Sequence, residues 1–453
     1  MPYCRVQPFL ALPLVALLAG CSLGSDIGTS VGSTLGLSGA SSDALPAGGL
    51  AVGDEPFAVK TGAAILDQGG SAADAATAMF FAMTATYPVA AGLGGGGICI
   101  VADPAKGLRE FDFLPRAARA GGAYAVPGAA RGFFDLHSAF GVLPWQRVVS
   151  GGEAYAAAGF PISHSLSARL ASAQNAVRLD AALAAEFLGE NGQPKPEGTV
   201  VTNADLSQSL AAIRLSGADG FYAGPVADQM IRYSGSQGGA ISAADLADYR
   251  TVVTAPRVLN ENGLAVALPD AATGAGAFAA SLFANAARSS DPESSVVAAV
   301  RQSLASFGVS ALPPDLGGTG FAAMDKNGQT VTCAVTLNGA FGASHSAGNS
   351  GVLLANAPSA AAGIAGAFLT PLIARDGNGR VALAGVGAGG PNGTAAIAYA
   401  VLKLASGGAL GRPGDLRSTG AAPMVTVNVI ACQNTCVALS DPGGHGIGAA
   451  TDQ

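Results

Sequence analysis

The chain has 453 residues, 49% hydrophobic and 12% charged, with a formal net charge of −7 and no basic cluster. That balance argues against nucleic acid and anionic membrane surfaces as partners. The six cysteines are scattered and none lies beside a histidine at ligand spacing, so neither a metal centre nor a cofactor is expected. No charged or low-complexity linker divides the chain after residue 50, and its 65 glycines point to tight turns and small-residue contacts within one large core.

After Arg5, an apolar run from Phe9 to Ala19 is too short to span a bilayer and ends in small residues, as the apolar part of a signal peptide does. Its end, Leu17-Leu18-Ala19-Gly20-Cys21, resembles a bacterial lipobox, which implies that residues 1–20 are removed and Cys21 is lipidated. Ser22 after the cysteine resembles an outer-membrane address. An ordinary secretory signal is the alternative. Residues 21–48, rich in Ser, Gly and Ala, read as a flexible tether, so the expected location is the periplasmic face of the envelope, held by a lipid anchor.

From Ala51 to Phe80 two alanine-rich helices are expected, separated by Gly69-Gly70, with Ser71 capping the second. Gly92 to Gly97 satisfies a dinucleotide-binding fingerprint in letters only. A helix precedes it and the strand Ile98–Val101 follows, the reverse of what such a site needs. Farther on, two apolar β-branched runs flank Asp325-Lys326-Asn327-Gly328, whose Asn-Gly is read as supplying the positive φ angles of a hairpin turn. The first run opens on Thr319 among glycines. A threonine hydroxyl needs a nearby base to act as a nucleophile, and cutting the chain before the residue frees its own α-amine for that role. Cys99 and Cys333, inside apolar strands, are expected to be inert core residues, while Cys432 and Cys436 are close enough to bridge. No Gly-x-Ser-x-Gly elbow exists for a serine-hydrolase triad.

Several of these segments, in order, resemble γ-glutamyltranspeptidases. They include Asp325-Lys326-Asn327-Gly328, Thr336-Leu337-Asn338 and Phe341-Gly342, the paired helices around Gly69-Gly70, Val126-Pro127-Gly128, Phe140 to Trp145, and Gly238 to Tyr249. The resemblance implies an α/β fold, a four-layer α/β/β/α sandwich of the N-terminal-nucleophile hydrolase type. Residues 49–318 would correspond to the large subunit and 319–453 to the small subunit of one intertwined domain. It implies self-cleavage before a threonine and acyl transfer or hydrolysis of γ-glutamyl or related amides, with the two fragments held together as a heterodimer. Carried over, Thr319 is the nucleophile, Thr336 and Asn338 are the supporting polar pair, and the glycines at Gly389 and Gly390 supply oxyanion N–H groups.

The sequence also departs from the family pattern. Counted without a gap from Asp325, Gly318 falls at the nucleophile, Thr319 one residue later and Gly320 at a histidine. Leu114 falls at the arginine that holds the substrate carboxylate and Ala360 at the aspartate that binds its amine, while Arg116, two residues on, is the candidate replacement. Two functions therefore stay open: a threonine acyltransferase, and a catalytically inactive envelope lipoprotein that keeps the fold as a binding or structural module.

Overall fold

The computed structural model describes residues 48–270, 275–286, 292–306, 312, 315–358, 364–417, 425–441 and 446–451. Cys21, the 1–20 leader, residues 21–47 and Ala360 lie outside these residues. Among the described residues, no helix is long and apolar enough to cross a membrane.

Two antiparallel sheets face one another. In chain order their strands are β1 (Gly49–Gly53), β2 (Gly96–Asp103), β3 (Gly107–Phe113), β4 (Val252–Thr254), β5 (Arg257–Glu261), β6 (Leu264–Leu268), β7 (Gly318–Asp325), β8 (Thr330–Thr336), β9 (Thr370–Arg375), β10 (Val381–Ala388), β11 (Thr426–Cys432), β12 (Cys436–Ser440) and β13 (Ile447–Thr451). One sheet runs β13-β1-β7-β8-β2-β3-β4 and the other β12-β11-β10-β9-β6-β5. The expected hairpin is β7 and β8, at the centre of the first sheet. The strand at Gly49–Gly53, pairing Gly53 with Phe321, was not foreseen from the sequence.

Strand alternation sorts the side chains of β7 to two sides. Phe321 and Ala323 join a large core of helical residues, while Ala322 and Met324 meet Ile430 of the opposite sheet. Between the sheets, alanines and glycine mix with larger aliphatic residues such as Met324, Ile373 and Val386. A Cβ on Gly320 would come within 2.2 Å of the Val386 side chain, so only glycine permits that approach. Helices α1 (Pro56–Asp67), α2 (Ala72–Thr86), α3 (Ala129–Phe140), α4 (Trp145–Ala158) and α5 (His164–Val177) contribute to the core on the outer face of the first sheet. Residues of α6 (Ala277–Ala286), α7 (Pro292–Ser306) and α8 (Pro391–Ala405) form a second core with strands of the other sheet.

Local chemistry fixes α2 against the hairpin. Ser71 and Asp74 form a reciprocal capping box, as the sequence led one to expect of Ser71. The next two donors, the N–H groups of Ala72 and Ala73, reach the side chains of Asp325 and Gln329 at 3.1 and 3.0 Å. The helix thus starts on the hairpin turn itself. That turn differs from the two-residue form expected: only Gly328 has a positive φ, +85°, and the Asp325 carboxylate accepts from the N–H groups of Asn327 and Gln329. Asp325 and Gln329 pair across a three-residue loop, in which a single left-handed glycine suffices.

The cysteines also differ from expectation. Cys99 and Cys333 sit directly opposite each other on β2 and β8, Cα atoms 4.1 Å apart, and their sulfurs are bonded. Being buried did not keep them as separate thiols, because the strand register puts them face to face. Cys432 and Cys436 are bonded as well, at the turn joining β11 to β12.

Candidate active site

The β7 and β8 strands pair without a bulge from Gly318–Thr336 to Met324–Thr330. Opposed residues share a face, so Gly318 and Thr336 point to the side of the second sheet, whereas Thr319 and Val335 point to the helices. The strand register thus divides the expected constellation between the two faces. A side chain at position 318 would start 3.5 Å from the Gly389 nitrogen, beside Leu369. Thr336 stands opposite position 318, where its hydroxyl donates to the Leu316 carbonyl at 3.3 Å and accepts the Asn338 N–H at 2.8 Å. Asn338, at φ +56°, exchanges side-chain to backbone hydrogen bonds with Asn356, at 3.0 Å each way. Gly389 and Gly390, at φ +82° and +134°, form the turn into α8. Thr336, Asn338 and Gly389 therefore gather around Gly318, and Thr319 lies on the other face.

Thr319 is fully buried, and its hydroxyl donates to the Asp54 carboxylate. Asp54 follows the last residue of β1, next to β7, which brings it level with the start of the hairpin. Its other oxygen accepts from the Asn428 amide at 2.7 Å, and that amide also donates to the Gly320 carbonyl at 3.0 Å. Burial pushes the Asp54 carboxyl above the usual carboxylate range, opposed by hydrogen bonds from Thr319 and Asn428 and by the charge of Arg169.

Arg169, on α5, is fully buried on the same side of β7 as Thr319. Its Nη2 donates to both Asp315 carboxylate oxygens at 2.6 and 2.8 Å, and its Nη1 donates to the Gly318 carbonyl oxygen at 3.2 Å. The guanidinium also lies over the Tyr87 ring, 5.5 Å from its centre. Asp315 in turn accepts the Gly317 N–H at 2.7 Å, which ties down the segment leading to Thr319. Neither Asp54 nor Arg169 was singled out from the sequence. For Arg169 a signal existed: it occupies the apolar stripe Leu166, Leu170, Ala173, Val177, where a lone arginine requires a buried partner. For Asp54 there was none, since 265 positions separate it from Thr319.

A cavity of about 420 Å³ opens nearby, lined by Asp112, Leu114, Arg116, Asn338 and Ala367 among others. Leu114 and Arg116, the position of the missing arginine and its candidate replacement, both line it. Arg116 rests 4.9 Å from the centre of the Tyr249 ring. Leu114 packs against Leu369 and Ala388, making the wall nearest Gly389 apolar.

The gamma-glutamyltranspeptidase family profile matches residues 58–286. The chain is 31% identical over 229 residues to a glutathione hydrolase proenzyme of Pseudomonas sp. (strain A14), covering 46% of this chain and 40% of that one. It is 32% identical over 235 residues to an acylase ACY 1 proenzyme of Pseudomonas sp. (strain SE83), covering 46% and 42%. The match thus spans about two fifths of the length of these relatives. Among solved structures, a cephalosporin acylase from Bacillus halodurans superposes with TM-score 0.75 over 90% of this chain and 96% of that one, at 16% identity. The Helicobacter pylori gamma-glutamyltranspeptidase superposes with TM-score 0.51, over 56% and 81%, at 23% identity. The mixed α/β fold is shared with both, and by its sequence this chain belongs to the gamma-glutamyltranspeptidase family.

Proposed function

We propose that the chain is a γ-glutamyltransferase-like acyltransferase or hydrolase of small amides that cuts itself before Thr319, and that it folds as a four-layer sandwich of the N-terminal-nucleophile hydrolase type. One observation carries this reading: the Thr319 hydroxyl is buried against the Asp54 carboxylate beside the bond expected to break. The names of the two Pseudomonas relatives, both proenzymes, support it. Two cores with sheets between them support the layering. The misdirection of Thr319 has a physical remedy. Once residue 318 no longer precedes it, strand alternation ceases to bind its side chain, and rotation about the Cα–C bond carries the side chain to the position the nitrogen held while the freed amine moves to the position of the Cα hydrogen. The hydroxyl then turns toward the place that Gly318 held, near Gly389, Thr336 and Asn338. Leu114 disfavours a charged amino-acid head, so acyl groups with uncharged heads are the better donors, with Arg116 left to meet any carboxylate.

Strands of both fragments, 49–318 and 319–453, stand in each sheet and pair across the proposed cut, β1 with β7 and β13, β2 with β8, and β6 with β9, which keeps them together as a heterodimer after cleavage. Lipidation at Cys21 and a periplasmic location complete the reading. The test compares wild type with Thr319→Ala on acyl anilides with uncharged heads and on γ-glutamyl anilide. Wild type should prefer the former, and the variant should lose roughly a thousandfold or more of the rate. A variant that keeps its activity contradicts the proposal. A second reading rests on Gly318, not Thr319, facing Gly389: an inert, uncut envelope protein, for which both forms would be equally inactive.

A further inference from the structure

We infer that the self-cleavage has its own catalytic centre at the start of β7, in which Asp54, held by Asn428 of the second sheet, is the base and Arg169, from helix α5, the group that stabilises the oxyanion. This inference rests on the proposed self-cleavage and assigns its residues. Gly389 and Gly390 lie across the strand from Arg169, beside position 318, so the oxyanion donors for turnover and for processing are separate. The processing site is complete in the uncut chain: a base on the attacking hydroxyl, and a cation on the carbonyl to be attacked. Asn428 and Asp315 hold these two groups in place.

The electrons and protons balance without a further reagent except water. Thr319 Oγ1 gives its proton to Asp54 and adds to the Gly318 carbonyl carbon, whose π electrons move onto the oxygen facing Arg169. Collapse breaks the Gly318–Thr319 C–N bond, and the leaving nitrogen takes the proton back from Asp54. The product is an ester between the Gly318 carbonyl and the Thr319 oxygen. Water attacks that ester, the C–O bond breaks, and a Gly318 carboxylate and a Thr319 hydroxyl with a free α-amine result. Arg169 is then opposite a carboxylate. A charged donor in a water-excluded site is worth more than in solvent, and it needs no reorganisation as the oxygen gains charge.

The experiment follows cleavage of the full chain by intact mass after expression of wild type, Asp54→Asn, Arg169→Met and Arg169→Lys, each checked for folding by circular dichroism and melting. Asp54→Asn keeps the shape but cannot take the proton, and slowing of about a hundredfold or more is expected. Arg169→Met should slow cleavage by about a hundredfold, with Arg169→Lys between it and wild type. Hydroxylamine, which cleaves esters, should speed wild-type processing and leave the slow variants slow, because they are blocked before the ester forms. If Arg169→Met does not fold, the Asp54→Asn and Arg169→Lys results decide. An uncut wild type removes the proposed self-cleavage itself. A cut wild type with folded Asp54→Asn and Arg169→Lys cut at the same rate leaves that reading standing and overturns this one.

Discussion

A carboxylate buried without a formal ion pair is costly, and Asp54 offsets the cost only through hydrogen bonds from Thr319 and Asn428 and the nearby Arg169 charge. Its neighbour Glu55 shows the same tension at a position where the sign is testable. Burial raises the Glu55 carboxyl to about 7, against hydrogen bonds from the Ala58 N–H and the Thr86 hydroxyl. A folded-state value above the unfolded one means that Glu55 favours the fold fully below pH ~4.5 and that this contribution is lost as pH rises to about 7. Glu55→Gln should therefore gain stability relative to wild type above pH 7, by up to ~3 kcal/mol, and little below pH 4. Chemical denaturation at pH 4 and pH 8 checks it; equal differences at both would contradict the assignment. The residue-level chemistry of the site was only partly legible. Thr319, Thr336, Asn338, Arg116, Gly389 and Gly390 were each named from the sequence, but the face each one serves depended on a strand register that one residue inverts.

At the scale of elements, β7, β8 and the capped α2 were readable because turn chemistry and capping are local. The strand at Gly49–Gly53 was not, since Gly-Leu-Ala-Val-Gly is short and glycine-flanked, and its partners β7 and β13 lie far along the chain. The Cys99–Cys333 bond was missed for the same reason: it depends on β2 lying beside β8, across 234 positions. In the chain-entropy account, closing so long a loop constrains the unfolded state far more than the four-position Cys432–Cys436 bridge does. Replacing Cys99 and Cys333 together with alanine should cost about 5 kcal/mol, and replacing Cys432 and Cys436 about 2 kcal/mol. Denaturant midpoints of the two double variants measure the difference. A larger loss at Cys432 and Cys436 would refute the ordering.

For the whole molecule, the family and the mixed α/β fold were visible in motifs spread along the chain, whereas the interleaving of the segments before and after residue 318 emerges only from strand order. β7, which would open the smaller fragment, is flanked by β1 of the proposed larger one and by β8, and in the second sheet β6 on one side of the proposed cut borders β9 on the other. After cleavage the fragments should therefore stay together through gel filtration and part only under denaturing conditions. If Cys21 carries the lipid, Cys21→Ala should move the protein from the membrane fraction to the soluble one, and unchanged fractionation would remove the anchor. All of the proposed chemistry depends on the bond between Gly318 and Thr319. The most direct measurement is N-terminal sequencing of the smaller fragment from mature wild-type protein. The account predicts a sequence beginning Thr319-Gly320-Phe321; a folded wild-type chain that remains uncut, or a cut elsewhere, would contradict it.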